Sequence, residues 1–140
     1  MAVTSGLDLR VHQERWLAAA ERYDLDLVVV FGSAVRGLTH PDSDVDIAVR
    51  TRAWPRDLDW WYGLMGALSA AVGRDSVDVV LLNDASPLLM VNVADEGIAQ
   101  YERKPDEFLR FQSYARRRHE DNWTRTRPSS RARATSTTCY

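Results

Sequence analysis

The feature that most constrains this chain is a run of β-formers that ends abruptly on two small residues. Leu27-Val28-Val29-Val30-Phe31 is followed by Gly32-Ser33, and twelve residues after Gly32 comes Asp44-Val45-Asp46-Ile47. The apolar run is branched and aromatic, which predicts a buried strand over 25–31. Glycine stops it and permits backbone conformations closed to other residues. The second segment alternates acid and aliphatic, which predicts a strand over 44–50 with Val45, Ile47 and Val49 facing a core. Asp44 and Asp46 then share the opposite face, roughly 6–7 Å apart.

Length and composition leave room for one domain. At 140 residues, 45% of them apolar, the chain can bury one core but not two ordinary ones. Its longest apolar run is strand-length, so no membrane span is expected. The start, Met1-Ala2-Val3-Thr4-Ser5-Gly6, lacks the basic and apolar blocks of a secretory signal. The lone cysteine, Cys139, has no partner for an internal disulfide and fits a reducing cytoplasm. Residues 1–109 hold 10 Lys/Arg against 18 Asp/Glu, whereas residues 110–140 hold 8 against 2. An acidic body suits metal ligation. The basic end is expected to be a solvated tail, and direct nucleic-acid binding is not expected.

The remaining elements follow from periodicity and punctuation. A helix is predicted over 7–23, and a short helix capped by Ser33 over 33–36. Residues 37–43 read as a loop around Pro41. A helix over 57–72 is closed by Gly73 and carries two apolar stripes. Leu58, Trp61, Met65, Leu68 and Val72 form one; Trp60, Leu64, Ala67 and Ala71 form the other. A third strand is predicted over 76–82, a short helix over 87–94 and an edge strand over 98–101. Pro105 is expected to open a last helix, with Asp106 and Glu107 in its first turn and Arg116-Arg117-Arg118 near its end. The domain is expected over 1–123, with a basic tail lacking packed structure over 124–140.

The acids and the glycine turn fit one chemistry. Adjacent carboxylates repel unless a cation lies between them, and Mg²⁺ is usually shared between carboxylates and substrate phosphates. Asp78 interrupts a Val/Leu strand and is expected to join the same face if its strand neighbours that of Asp44 and Asp46. Gly32 lets backbone approach phosphate oxygens, Ser33 adds a hydroxyl donor, and the Arg36 guanidinium suits bidentate contacts. No Gly-Lys-Ser/Thr follows, so this is not a Walker A loop. Each piece has a plainer reading, an ordinary turn or a surface ion pair; it is the order and spacing together that point to a metal-bound nucleoside triphosphate. His12, His40 and His119 are too dispersed for a zinc site.

Gly32-Ser33, a ten-residue spacer, Asp44-Val45-Asp46 and a later acid, Asp78, resemble the signature of the DNA polymerase β-like nucleotidyltransferases. The fuller string, Gly32-Ser33-Ala34-Val35-Arg36-Gly37 with Ser43-Asp44-Val45-Asp46-Ile47, resembles the minimal nucleotidyltransferases, or MNT proteins. The resemblance spans about residues 8–110. It implies an α/β (α+β) domain, a mixed β-sheet flanked by helices, with its site at the sheet's edge. It also implies two Mg²⁺ ions on Asp44 and Asp46 and a triphosphate on Gly32 and Ser33. Asp78 would complete the metal site and act as general base toward an acceptor hydroxyl.

Many stand-alone MNT proteins are antitoxins that transfer AMP from ATP to a tyrosine of a HEPN-domain toxin. Two features favour that subgroup here. Little chain is left beyond the core to build an acceptor pocket, and the Trp60–Trp61 helix has more apolar surface than one sheet face hides. A small-molecule nucleotidyltransferase of the antibiotic-modifying kind stays open, as does an antitoxin that neutralises its partner by binding alone. The three carboxylates count against the last.

Overall fold

The β-branched run of residues 25–31 forms strand β1 (Leu25–Phe31) in the centre of a four-stranded sheet. The computed structural model describes residues 13–32, 35, 44–53 and 57–126. Helix α1 (Gln13–Arg22) leads into β1 through Asp24, whose φ of 58° is a left-handed turn that aspartate tolerates. Strand β2 (Val45–Thr51) pairs antiparallel with β1, and β3 (Val77–Leu81) pairs parallel with β2. Strand β4 (Ile98–Glu102) closes the other edge, antiparallel to β1. The order β3-β2-β1-β4 is therefore a mixed sheet.

Helix α2 (Leu58–Val72) provides the long crossover that a parallel β2–β3 pair requires. Asp57 caps it, accepting from the Trp60 backbone N–H at 2.9 Å, and Gly73 ends it at φ 75°. Helix α3 (Pro87–Glu96) starts on Ser86, whose Oγ accepts from Leu89 N at 3.2 Å. Helix α4 (Glu107–Thr126) is the last element.

Strand alternation splits the interior into two cores. Val28, Val30, Val45, Ile47 and Val49 face α1 and α2, meeting Trp16, Leu64 and Leu68. Leu27, Val29 and Ala48 face α3 and α4, meeting Met90, Val93 and Phe111. The result is a helix–sheet–helix sandwich, with each sheet face covered. Helix α1 packs against α2, and both predicted stripes contribute buried residues, Leu64 and Ala71 from one and Leu68 and Val72 from the other. Trp60 meets Tyr23 edge-on at 5.8 Å and stacks on Trp61 at 5.9 Å, and both tryptophans are half-buried. Leu58 departs from its predicted stripe: it is 67% exposed, as the first residue of the helix, with Tyr62 exposed one turn on.

Two polar devices fix the sheet's lower end, away from Gly32. The Asn83 side chain bonds both backbone groups of Thr51, Oδ1 accepting from Thr51 N and Nδ2 donating to Thr51 O, each at 3.0 Å. Arg103 reaches back from β4 to Asp26 at 2.8 Å and Asp24 at 2.7 Å. Desolvation opposes the Arg103 charge, but its hydrogen bond to Asp26 and the fields of Tyr101, Asp24 and Asp26 hold its pKa above the ordinary arginine value.

The last helix differs from its expected form at both ends. Asp106 has φ 64° and stands outside it, so the helix begins at Glu107. The Phe108 N–H is capped at 2.9 Å by the Glu102 carboxylate, from the end of β4. Arg116, Arg117 and Arg118 lie mid-helix, because the helix continues to Thr126. No helix among the described residues is long and apolar enough to cross a membrane.

Candidate active site

The upper end of the sheet gathers the acids. Asp46 is opposite Phe31 in the β1–β2 register and opposite Asp78 in the β2–β3 register. Because Val45, Ile47 and Val49 enter the core under α1 and α2, Asp46 and Asp78 share the other face. Neighbouring strands set their backbones about 5 Å apart. Asp46 is half-buried, while Asp78, on the edge strand, is exposed.

Gly32 closes this cluster from the β1 side. Its φ is 80°, and a Cβ there would collide with Oδ2 of Asp46 and lie 3.2 Å from its Cγ. The missing side chain is what lets the Asp46 carboxylate lie against the backbone. Directly beyond, Val35 N donates to Gly32 O at 3.1 Å, turning the chain sharply at the strand end. Ser33 and Arg36, the other predicted phosphate contacts, lie outside the described residues.

Asp44 sits one residue before β2 and is exposed. Its Oδ1 accepts from Ser76 Oγ at 2.6 Å, and Val45 N donates to Ser76 O at 3.4 Å. Ser76 is absent from the predicted site. Ser76 precedes Asp78 by two residues, as Asp44 precedes Asp46, and the parallel pairing of β2 with β3 puts the two couples side by side.

The sheet thus brings together Gly32, Asp46 and Asp78, with Asp44 at the cluster's outer rim. Among the described residues no three His, Cys, Asp or Glu side chains converge tightly enough to ligate one ion. The donor chemistry nevertheless fits Mg²⁺: hard carboxylate oxygens on one open face, beside a backbone turn with no side chain in the way. Asp46 and Asp78 are held on paired strands, with Gly32 and Asp44 at strand ends, which suits a site that works by positioning.

A mixed sheet with acids at one end and a glycine turn beside them is the arrangement expected of a nucleotidyltransferase. The chain belongs to the polymerase beta nucleotidyltransferase family, whose family model matches residues 17–106. It is similar to a solved protein assigned as a minimal nucleotidyltransferase: 34% identity, TM-score 0.54, covering 68% of this chain and 98% of that one. Two more distant structures share the fold. One is from a toxin–antitoxin complex with AMP-PNP (23% identity, TM-score 0.68, 82% of this chain and 92% of that one). The other is from a tri-AMPylated Shewanella oneidensis HEPN toxin in complex with its MNT antitoxin (22% identity, TM-score 0.62, 84% and 92%). No curated protein matches the chain in sequence comparison.

Proposed function

We propose that this nucleotidyltransferase is the antitoxin of a HEPN/MNT pair, moving AMP from ATP onto a tyrosine of its toxin partner in the cytoplasm. The observation that carries the reading is the Gly32–Asp46–Asp78 arrangement, three adjacent strands delivering a bare backbone turn and two carboxylates to one point. The fold shared with antitoxins solved beside an ATP analogue or an AMPylated toxin supports the choice of nucleotide and partner.

In this reading Asp44, Asp46 and Asp78 hold two Mg²⁺ ions. Bound there, the ions would neutralise phosphate charge and polarise the α-phosphorus. Gly32 and Ser33 hold the triphosphate through backbone N–H groups and a hydroxyl, and Arg36 pairs with a phosphate oxygen. Asp78, on the open edge of the sheet, accepts the proton of the acceptor hydroxyl. That oxygen forms a bond to the α-phosphorus as the bond to pyrophosphate breaks, and AMP is transferred. Ser76 is a positioning residue, turning Asp44 toward the rim.

The test is an assay with labelled ATP, Mg²⁺ and the co-purified partner. Label on a partner tyrosine supports the antitoxin. Label on an aminoglycoside, with none on protein, overturns it in favour of a small-molecule transferase. Neutralisation without any label overturns the enzymatic reading.

A further inference from the structure

A second charged site lies at the opposite end of the sheet. There the chain enters β1 and leaves β2 and β4, about 20 Å along β1 from Gly32. Asp26, Arg52, Arg103, Lys104, Glu107 and Arg110 line an open cavity of about 250 Å³. Four cations face two carboxylates, a local balance of +2, whereas residues 1–109 as a whole carry 10 basic and 18 acidic side chains.

Both carboxylates are already engaged. Asp26 receives Arg103 at 2.8 Å; Glu107 receives Arg110 at 2.9 Å and also pairs with Arg50. These contacts fix the guanidiniums: Arg103 also donates to Leu25 O at 3.3 Å, and Arg110 to Pro105 O at 3.1 Å. No ion pair among the described residues engages Arg52 or Lys104, which are both exposed. The excess positive charge therefore rests on two free side chains flanked by two immobilised ones. Preorganised guanidiniums beside an exposed ammonium are suited to oxyanions of phosphate type.

We propose that this cavity is a second, non-catalytic site for a small phosphate-type oxyanion, inorganic phosphate or pyrophosphate. An open cavity of about 250 Å³ accommodates either anion. The local charge suits an oxyanion, and nothing in the arrangement would read a base.

The site is tested by backbone amide NMR of the full chain in EDTA, so that metal-dependent binding at the catalytic edge is silent. Phosphate, pyrophosphate and AMP are titrated separately against chloride at matched ionic strength. Phosphate or pyrophosphate should give saturable shifts at Arg52, Arg103, Lys104 and Glu107. The double variant Arg52→Gln/Lys104→Gln should weaken that binding about tenfold or more, the loss of at least one charge-assisted hydrogen bond. Whichever of the two anions binds tighter identifies the ligand. Shifts that never saturate and are matched by chloride mean an adventitious ion only and overturn the proposal. So does undiminished binding in the double variant, or shifts centred on Gly32 and Val45. AMP binding tighter than both anions overturns the small-ligand assignment.

Discussion

The Asp46 carboxylate occupies the space that a side chain on residue 32 would fill. Gly32→Ala should therefore be damaging twice over. A Cβ at φ 80° costs about 1–2 kcal/mol by itself, and it must also push Asp46 aside. We expect a lower urea midpoint together with a loss of nucleotidyl transfer larger than the stability change explains. Full activity in a folded Gly32→Ala protein would show that Asp46 can work from another position.

The two acids on paired strands should matter to activity and not to the fold. Asp46→Asn and Asp78→Asn should each reduce AMP transfer by at least about a hundredfold, as expected for charge-stabilising groups at a reacting centre. Neither acid is part of a buried core cluster, so each variant should stay folded by circular dichroism. Asp44→Asn should lose transfer as well, with the fold intact by circular dichroism. Wild-type activity in either Asp44→Asn or Asp46→Asn would sink the metal-site assignment.

Ser76 gives a finer test of the rim. Ser76→Ala removes the hydroxyl that Asp44 accepts from at 2.6 Å, and Ser76→Thr keeps it. A drop of about tenfold in the alanine variant, restored by threonine, is the outcome expected of an orienting hydrogen bond. Equal activity in all three proteins would mean that Asp44 needs no such support.

Asn83 should matter to stability alone. Its amide satisfies both backbone groups of Thr51, a residue only 4% exposed. Asn83→Leu strands both and should cost about 1–3 kcal/mol in a urea melt. Asn83→Asp keeps the acceptor for Thr51 N but loses the donor to Thr51 O, so it should also destabilise. No change in either variant would mean that water replaces the clip.

Removing residues 127–140 should leave AMP transfer and partner binding unchanged, because helix α4 already carries its buried Phe111 and Ala115 well upstream. A large loss of either would make the basic tail part of the functional unit.

What could be read in advance divides by range. Strands β1 and β3 were legible from branched residues in a row, Val28–Val30 and Val79–Leu81, and β2 from the alternation of Asp44 and Asp46 with Val45, Ile47 and Val49. Helix α2 was legible through its own ends, Asp57 and Gly73. The start of α4 was not, because its cap comes from Glu102 across a turn and Asp106 breaks the pattern that Pro105 suggests. The face shared by Asp46 and Asp78 was conditional on strand order, which no local pattern encodes. Ser76 went unseen for the same reason: its partner is 32 residues away. The lower cavity was invisible because its six residues come from three separate stretches of chain.

The alternation along β2 has a consequence for how such a chain can change. Val45, Ile47 and Val49 are counted into the core by the same parity that counts Asp46 out to the site. A one-residue insertion or deletion within that strand would swap the sets, carrying acid under α1 and α2 and aliphatics to the face of the site. No slip in this strand can silence the enzyme and leave a sound scaffold. Loss of activity by that route is also loss of the protein, so inactive but folded descendants should arise here by substitution and not by indel.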